Sequence, residues 1–252
     1  MKTKIFASFI VLSLFGLPAF SQVGEYRSEF AVGGGLGYVM SQVGFMPEVP
    51  QGQHMNGLVG LAFRYTCEKY FSSVCAVTAE LNYANVGWVQ DILTVDDQPV
   101  INAATGLPEQ YKRTVSYLQL PVLARMGWGR ERKGFQAFIQ LGPQFGFYLG
   151  ESTKKNYDYD QRNLSMRTSK VVAQETMPVE HKFDYGIAGG GGVELSIPRM
   201  GHFLLEGRYY YGLGDLYGNS KRDYFGRSNL SNIVIKLTYL YDIKKTNNPK
   251  IK

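Results

Sequence analysis

Residues 203–213 read FLLEGRYYYGL. One alternate set is Phe203, Leu205, Gly207, Tyr209, Tyr211 and Leu213; the other contains Leu204, Glu206, Arg208 and Tyr210. A period of two marks a β-strand, in which successive side chains point to opposite faces. The pattern recurs in both directions along the chain. Downstream it takes in Ile233, Ile235, Leu237, Tyr239 and Tyr241. Upstream, every second residue is apolar, aromatic or small from Phe183 to Leu195, Phe135 to Phe147, Leu118 to Met126, Val77 to Tyr83, Val59 to Tyr65 and Phe30 to Met40. Eight segments result, and no position in this phase carries a charge.

The opposite phase contains Arg64, Glu80, Arg125, Asp184, Glu194, Glu206, Arg208 and Lys236, four acids against four bases. A soluble β-sandwich turns its charges to water, where nothing forces them to balance. A membrane barrel inverts that geometry: apolar residues face lipid, and interior charges must pair to offset desolvation. The sequence therefore predicts an all-β, eight-stranded antiparallel up-and-down transmembrane β-barrel with those eight residues as an interior ion-pair network. Connections alternate as expected for such a barrel. Short turns span about Thr66–Ser73, Gly127–Gly134 and Ile197–Gly201; long loops span about Ser41–Asn56, Val89–Tyr111, Leu149–His181 and Gly214–Leu230. Outer-membrane barrels have short periplasmic turns and long outer loops. Pro121 and Pro143 fall inside segments, where a missing N–H predicts bulges.

Composition removes other classes. Among 252 residues, 14% are aromatic and 19% charged, too aromatic and too weakly charged for a disordered chain, and the 29 glycines follow no collagen period. Lys2 and Lys4, the apolar run Ile5–Leu17, and Ala19 and Ser21 at the small-residue positions form a secretory leader with cleavage expected after Ser21. The remaining divisions are a barrel over 22–242 and a basic periplasmic tail over 243–252. After Leu17 no apolar run approaches the ~20 residues of a membrane helix. The net charge of +6, lower once Lys2 and Lys4 are removed, is too small an excess to indicate nucleic-acid binding. Cys67 and Cys75 lie eight positions apart, and in an exported chain the preferred reading is a disulfide across a hairpin turn, with two free thiols second. No metal or cofactor set is apparent.

The run Tyr117, Leu118, Gln119, Leu120, Pro121, Val122 resembles the tyrosine-leucine-polar-aliphatic-proline signature of the Bacteroidetes-type outer-membrane β-barrel family, often labelled PorT-like. Leu141–Gly142–Pro143, Phe183–Asp184–Tyr185–Gly186 with Gly189 to Gly192, and Arg208–Tyr209 with Gly212 to Asp215 are similar to later parts of that pattern. The resemblance implies an eight-stranded barrel of the outer membrane. The family's namesake is tied to type IX protein secretion, and the resemblance brings no catalytic motif with it.

Three functions follow from the residues, and the resemblance adds a fourth, a secretion accessory. An interaction barrel would display long loops, with Tyr157, Asp158, Tyr159 and Asp160 as the candidate surface. Its basic turn (Arg130, Arg132, Lys133) and tail (Lys244, Lys245, Lys250, Lys252) would face the periplasm. A narrow channel or hydrophobic-ligand conduit is the alternative, although eight strands enclose only enough room for side chains. An outer-membrane hydrolase would need an acid-base set such as His181 with Asp184; no G-x-S-x-G, H-E-x-x-H or P-loop is present. Partners expected are outer-membrane lipid, the barrel-assembly machinery and secretion-system or surface proteins.

Overall fold

The computed structural model describes residues 25–218, 220 and 223–246; the expected leader and the end of the tail lie outside them. Eight long strands account for most of the chain: β1 (Glu25–Met46), β2 (His54–Tyr70), β3 (Ser73–Gln90), β4 (Tyr111–Gly129), β5 (Gly134–Lys155), β6 (Phe183–Ile197), β7 (Gly201–Asp215) and β8 (Arg227–Lys244). Each pairs antiparallel with the next, and β8 returns to β1, so the ring is closed. A two-residue ladder, Gln51–Gly52, adds to the top of β3.

The apolar phase faces outward on every strand. Leu36 is 63% exposed, whereas Lys236, paired with neighbouring Gly37, is 0% exposed. Burying an ion and exposing a leucine is the wrong way round in water and the right way round in lipid. The outward set on β4 runs Leu118, Leu120, Val122, Ala124, Met126 and Trp128. Ten residues of strand rise about 33 Å, and a tilt of about 35–45° reduces this to a band about 25 Å tall, the usual apolar height of an outer-membrane barrel.

The strands are 15–22 residues long, well beyond the ~10 needed to cross, and they extend past the sequence segments mainly at the long-loop end. Above the row Tyr83–Leu118–Phe147 the alternation inverts. Outward positions become Asn85, Ser116, Thr114 and Lys112, while Val86, Trp88, Val115 and Tyr111 turn inward. Water has replaced lipid outside, so the apolar side chains move to the interior.

The chain resolves its two strand prolines without bulges. The β3–β4 register is the same on either side of Pro121, with pairing lapsing between Ala79↔Val122 and Asn82↔Gln119. The β4–β5 register is likewise continuous across Pro143, lapsing between Pro121↔Gln144 and Ala124↔Leu141. A missing donor removes a rung without adding a residue. The bulges lie elsewhere, including Thr66/Glu68 and Ser116/Tyr117. Among the interior glycines, Gly35 has a clear steric duty: a Cβ there would lie 2.6 Å from Lys236 Cε and 2.7 Å from the Thr238 hydroxyl.

Candidate functional site

The lumen is filled in two different ways along its axis. At the short-turn end, Glu194 on β6 is the hub of an ionic floor. Its carboxylate accepts from Arg64 Nη1 at 2.8 Å, from Arg125, and from His202 Nδ1 at 2.6 Å. His202 Nε2 lies 2.8 Å from Asp242, and Arg125 lies over the Phe138 ring at 3.8 Å. A second cluster sits higher. Glu80 meets Arg208 at 2.8 Å and Lys236 at 2.9 Å; Asn82 donates to Glu80 at 2.7 Å and accepts from Lys236 at 3.1 Å. Glu206 accepts from Gln140 at 2.6 Å and faces Arg208 at 3.4 Å. The register explains the grouping, since Glu206 and Lys236 are directly paired across β7 and β8.

Seven of the eight ionic residues expected from sequence therefore meet an opposite charge. Among the described residues Asp184 does not: it accepts from the Tyr210 hydroxyl at 2.6 Å, above the ionic clusters. Sequence reasoning missed His202 and Asp242, which complete the floor. Both share the interior phase with Glu206 and Lys236, and that phase was the available signal.

The short turns close over the floor. Glu131, between β4 and β5, pairs with Lys69 and with buried Arg27 at 3.2 Å, and Arg132 reaches Glu29 at 3.0 Å. Arg132 also donates to the Thr246 carbonyl at 2.5 Å, so one of the three residues of the expected basic turn is consumed internally. A space of about 30 Å³ lies beside Glu194, His202 and Arg125, room for about one or two water molecules.

The opposite end is an apolar core. Phe45, Trp88, Tyr111, Tyr217, Phe225 and Leu230 are fully or nearly fully buried together. Phe45 meets Trp88 edge-on at 5.2 Å and Phe225 at 5.0 Å. A cap from the loop between β5 and β6, containing the short helix Ala173–Thr176, covers it. Arg113 Nη1 donates to the Gln174 and Met177 carbonyls at 3.1 and 2.6 Å, and the Tyr111 hydroxyl donates to the Glu175 carbonyl at 3.2 Å. Arg167 ties this loop to the one before it, meeting Glu175 at 2.6 Å and Glu109 at 2.7 Å. Burial pushes the Glu109 carboxyl up, but the Asn163 N–H, Arg167 and the Asn102 amide together pull it below the ordinary glutamate range.

This cap takes over half of the sequence-derived interaction surface. Tyr157 is buried in the core, and Tyr159 is half-buried, with its hydroxyl donating to the Glu175 carbonyl at 2.9 Å. Asp158 and Asp160 remain exposed. The alternation of Tyr and Asp separates an inner from an outer face.

One expectation is corrected. Cys67 and Cys75 are free thiols: the hairpin turn is tighter than expected, with Tyr70 opposite Ser73, and a bulge at Cys67 sets Glu68 across from Cys75. His181 and Asp184 do not form a constellation. His181 bonds the Asp215 carbonyl at 2.9 Å on the outer rim, while Asp184 points into the lumen. A serine–histidine–carboxylate alignment does occur at the floor: Ser196 Oγ lies 2.8 Å from His202 Nδ1, opposite the Asp242 bond. The 30 Å³ beside it admits no substrate, and Glu194 engages the same imidazole. It is part of the ionic packing.

The family model described as outer membrane protein beta-barrel domain matches residues 20–218. Solved structures similar to this chain include Ail, the attachment invasion locus protein of Yersinia pestis, at 11% identity over 84% of this chain and 99% of that one, with a TM-score of 0.33. Neisserial surface protein A is similar at 9% identity over 84% and 97%, with a TM-score of 0.39. OprG from Pseudomonas aeruginosa is similar at 14% over 86% and 98%, with a TM-score of 0.35. No curated protein matches the sequence.

Proposed function

The chain belongs to the outer membrane protein beta-barrel domain family and resides in the cell outer membrane, and from that premise we propose a non-enzymatic structural and interaction barrel that serves as an accessory of protein secretion, of the PorT-like, type IX kind. In this reading a leader over 1–21 is removed after Ser21, the short turns and basic tail face the periplasm, and the long loops form a rigid outer cap. The observation that carries it is that the lumen is occupied at both ends, by paired ions below and by an apolar plug under the cap above. A filled cylinder transports nothing, so its exposed rim and loops are what remain for function. Asp158 and Asp160 supply an acidic outer face, and Arg130 and Lys133 a basic inner one.

The test has two parts. Full-length protein in planar bilayers should give no steady conductance; regular open steps from the intact chain would favour the channel reading. Crosslinked outer membranes should yield a secretion component on pull-down, and deletion should lower the export of secreted proteins. Unimpaired export with no captured secretion component would overturn the accessory role.

A further inference from the structure

A strand edge stands without a neighbour above the lipid band. β5 keeps β4 as its partner as far as Lys155, through Ser116↔Gly150, Thr114↔Ser152, Lys112↔Lys154 and Tyr111↔Lys155. On its other side β6 begins only at Phe183, opposite Phe147. The last bond across that seam runs from the Tyr148 N–H to the Lys182 carbonyl at 2.8 Å. The chain before Lys182 turns away toward the end of β7, where the Glu180 and His181 N–H groups donate to the Leu216 carbonyl at 3.0 and 3.2 Å. Among the described residues nothing bonds the main chain of residues 149–155 from that side. Residues 149 and 151–155 are exposed. At Glu151 the carboxylate is held by Arg113 at 2.7 Å and the side chain is only 24% exposed, so it is main chain that meets water there.

An unpaired edge about 20 Å long is a template for another strand. A second copy of this chain cannot supply it. Copies in one membrane are related by an axis along the membrane normal, and a twofold there sets two strands that each tilt about 35–45° at about 70–90° to one another, too steep for a ladder. The side chains along the edge specify the rest. On the outward face Gly150 is bare, with open space where a Cβ would project, and Ser152 is small. Aromatic or β-branched neighbours cover such positions. Lys154, next on that face, lies in a cleft whose lysines, Lys112, Lys154 and Lys155, outnumber its carboxylates Asp91 and Glu109, the second already held by Arg167. We propose that residues 149–155 accept an extended segment of a different protein by strand addition at the cell surface, with an acid against Lys154 and β-branched or aromatic residues against Ser152 and Gly150. Main-chain bonds supply the affinity and these alternate side chains the selectivity. The inference deepens the interaction role proposed above and rests on the outward placement of the long loops, but not on secretion.

The test uses the full-length barrel in phosphatidylcholine nanodiscs, a synthetic heptapeptide Thr-Glu-Thr-Val-Thr-Tyr-Thr with blocked ends as the model strand, and amide hydrogen exchange read by NMR. Laid antiparallel to β5, the peptide sets its Glu, Val and Tyr against Lys154, Ser152 and Gly150. Alternate amides within residues 149–155, those on the open edge, should slow about fivefold at about 1 mM peptide, the protection given by a Kd of about 0.25 mM. A strand bonds each neighbour through one alternate set of its amides. N-methylating that set of the peptide should abolish the effect, and N-methylating the other set should preserve it. Lys154→Glu should weaken binding about threefold, and exchanging the peptide's Glu for Lys should restore it in that variant. Retained heat-modifiable migration verifies folding. No slowing at the edge, equal slowing by both methylated peptides, or slowing of edge and β4-facing amides alike would overturn strand addition. Unweakened binding in folded Lys154→Glu protein would overturn the side-chain register. Conductance and export are indifferent to a peptide added outside, so failure here is distinct from failure of the proposed function.

Discussion

The two ends of one lumen are closed by opposite chemistries. At the short-turn end, Arg64, Arg125, His202, Glu194 and Asp242 fill the space with ions whose positions are fixed by hydrogen bonds. At the long-loop end, Trp88, Tyr111, Phe45 and Phe225 fill it as a soluble protein fills its core. The difference follows from what lies outside the wall. Within the lipid band the apolar side chains are drawn outward, leaving polar groups to fill the cylinder and to satisfy one another. Above the band water lies outside, and the ordinary hydrophobic effect packs the interior. The lower half is fragile toward loss of a partner, the upper half toward loss of volume.

The largest effect expected is at the hub. Glu194→Ala leaves Arg64 and Arg125 buried without their carboxylate and should cost about 3–5 kcal/mol, read as a lower urea midpoint in lipid vesicles. Replacing the trio together, Arg64→Met, Glu194→Leu and Arg125→Met, should cost far less, because the desolvation penalty leaves with the charges. If the triple variant were as unstable as the single, these ions would be serving some purpose other than mutual compensation. In the upper half, Leu230→Ala should cost about 2–5 kcal/mol through transfer and cavity, and Leu230→Met at similar volume less than about 1.5 kcal/mol.

Acid should separate the halves in a smaller way. Glu109 is held below its ordinary value, so its contribution to the cap is fully present above the unfolded glutamate value of about 4.3 and is lost as pH falls through the depressed folded value. Exchange of the Asn163 amide, which donates to Glu109 at 2.9 Å, should accelerate in that acid window relative to amides in the β4 band, after correction for intrinsic rates. Exposed Asp158→Ala and Asp160→Ala should change stability by no more than about 0.5 kcal/mol while reducing capture of an outer partner.

The barrel was legible in the sequence because lipid imposes a long, uninterrupted period of two, and Glu206 and Arg208 mark its inner phase without ambiguity. The upper core was not. Trp88 and Tyr111 sit at the margins of what reads as a loop, and the phase inversion above Leu118 looks like the end of a strand when only outward apolar residues are followed. His202 was hidden beside a short turn, where position along the chain suggests exposure; the inward phase it shares with Glu206 outweighs that. The thiol pair misled because spacing alone does not reveal a bulge.

The height of the lipid band is the quantity on which both halves depend. In a Cys67→Ser, Cys75→Ser background, single spin labels placed along β4 at Lys112, Thr114, Ser116, Leu120, Ala124 and Trp128 report access to oxygen, enriched in lipid, or to a polar nickel chelate. Oxygen access is expected at Leu120, Ala124 and Trp128 and nickel access at Lys112, Thr114 and Ser116, with the change between Ser116 and Leu120. Lipid-type access continuing to Lys112, or water-type access at Leu120 and Ala124, would contradict it.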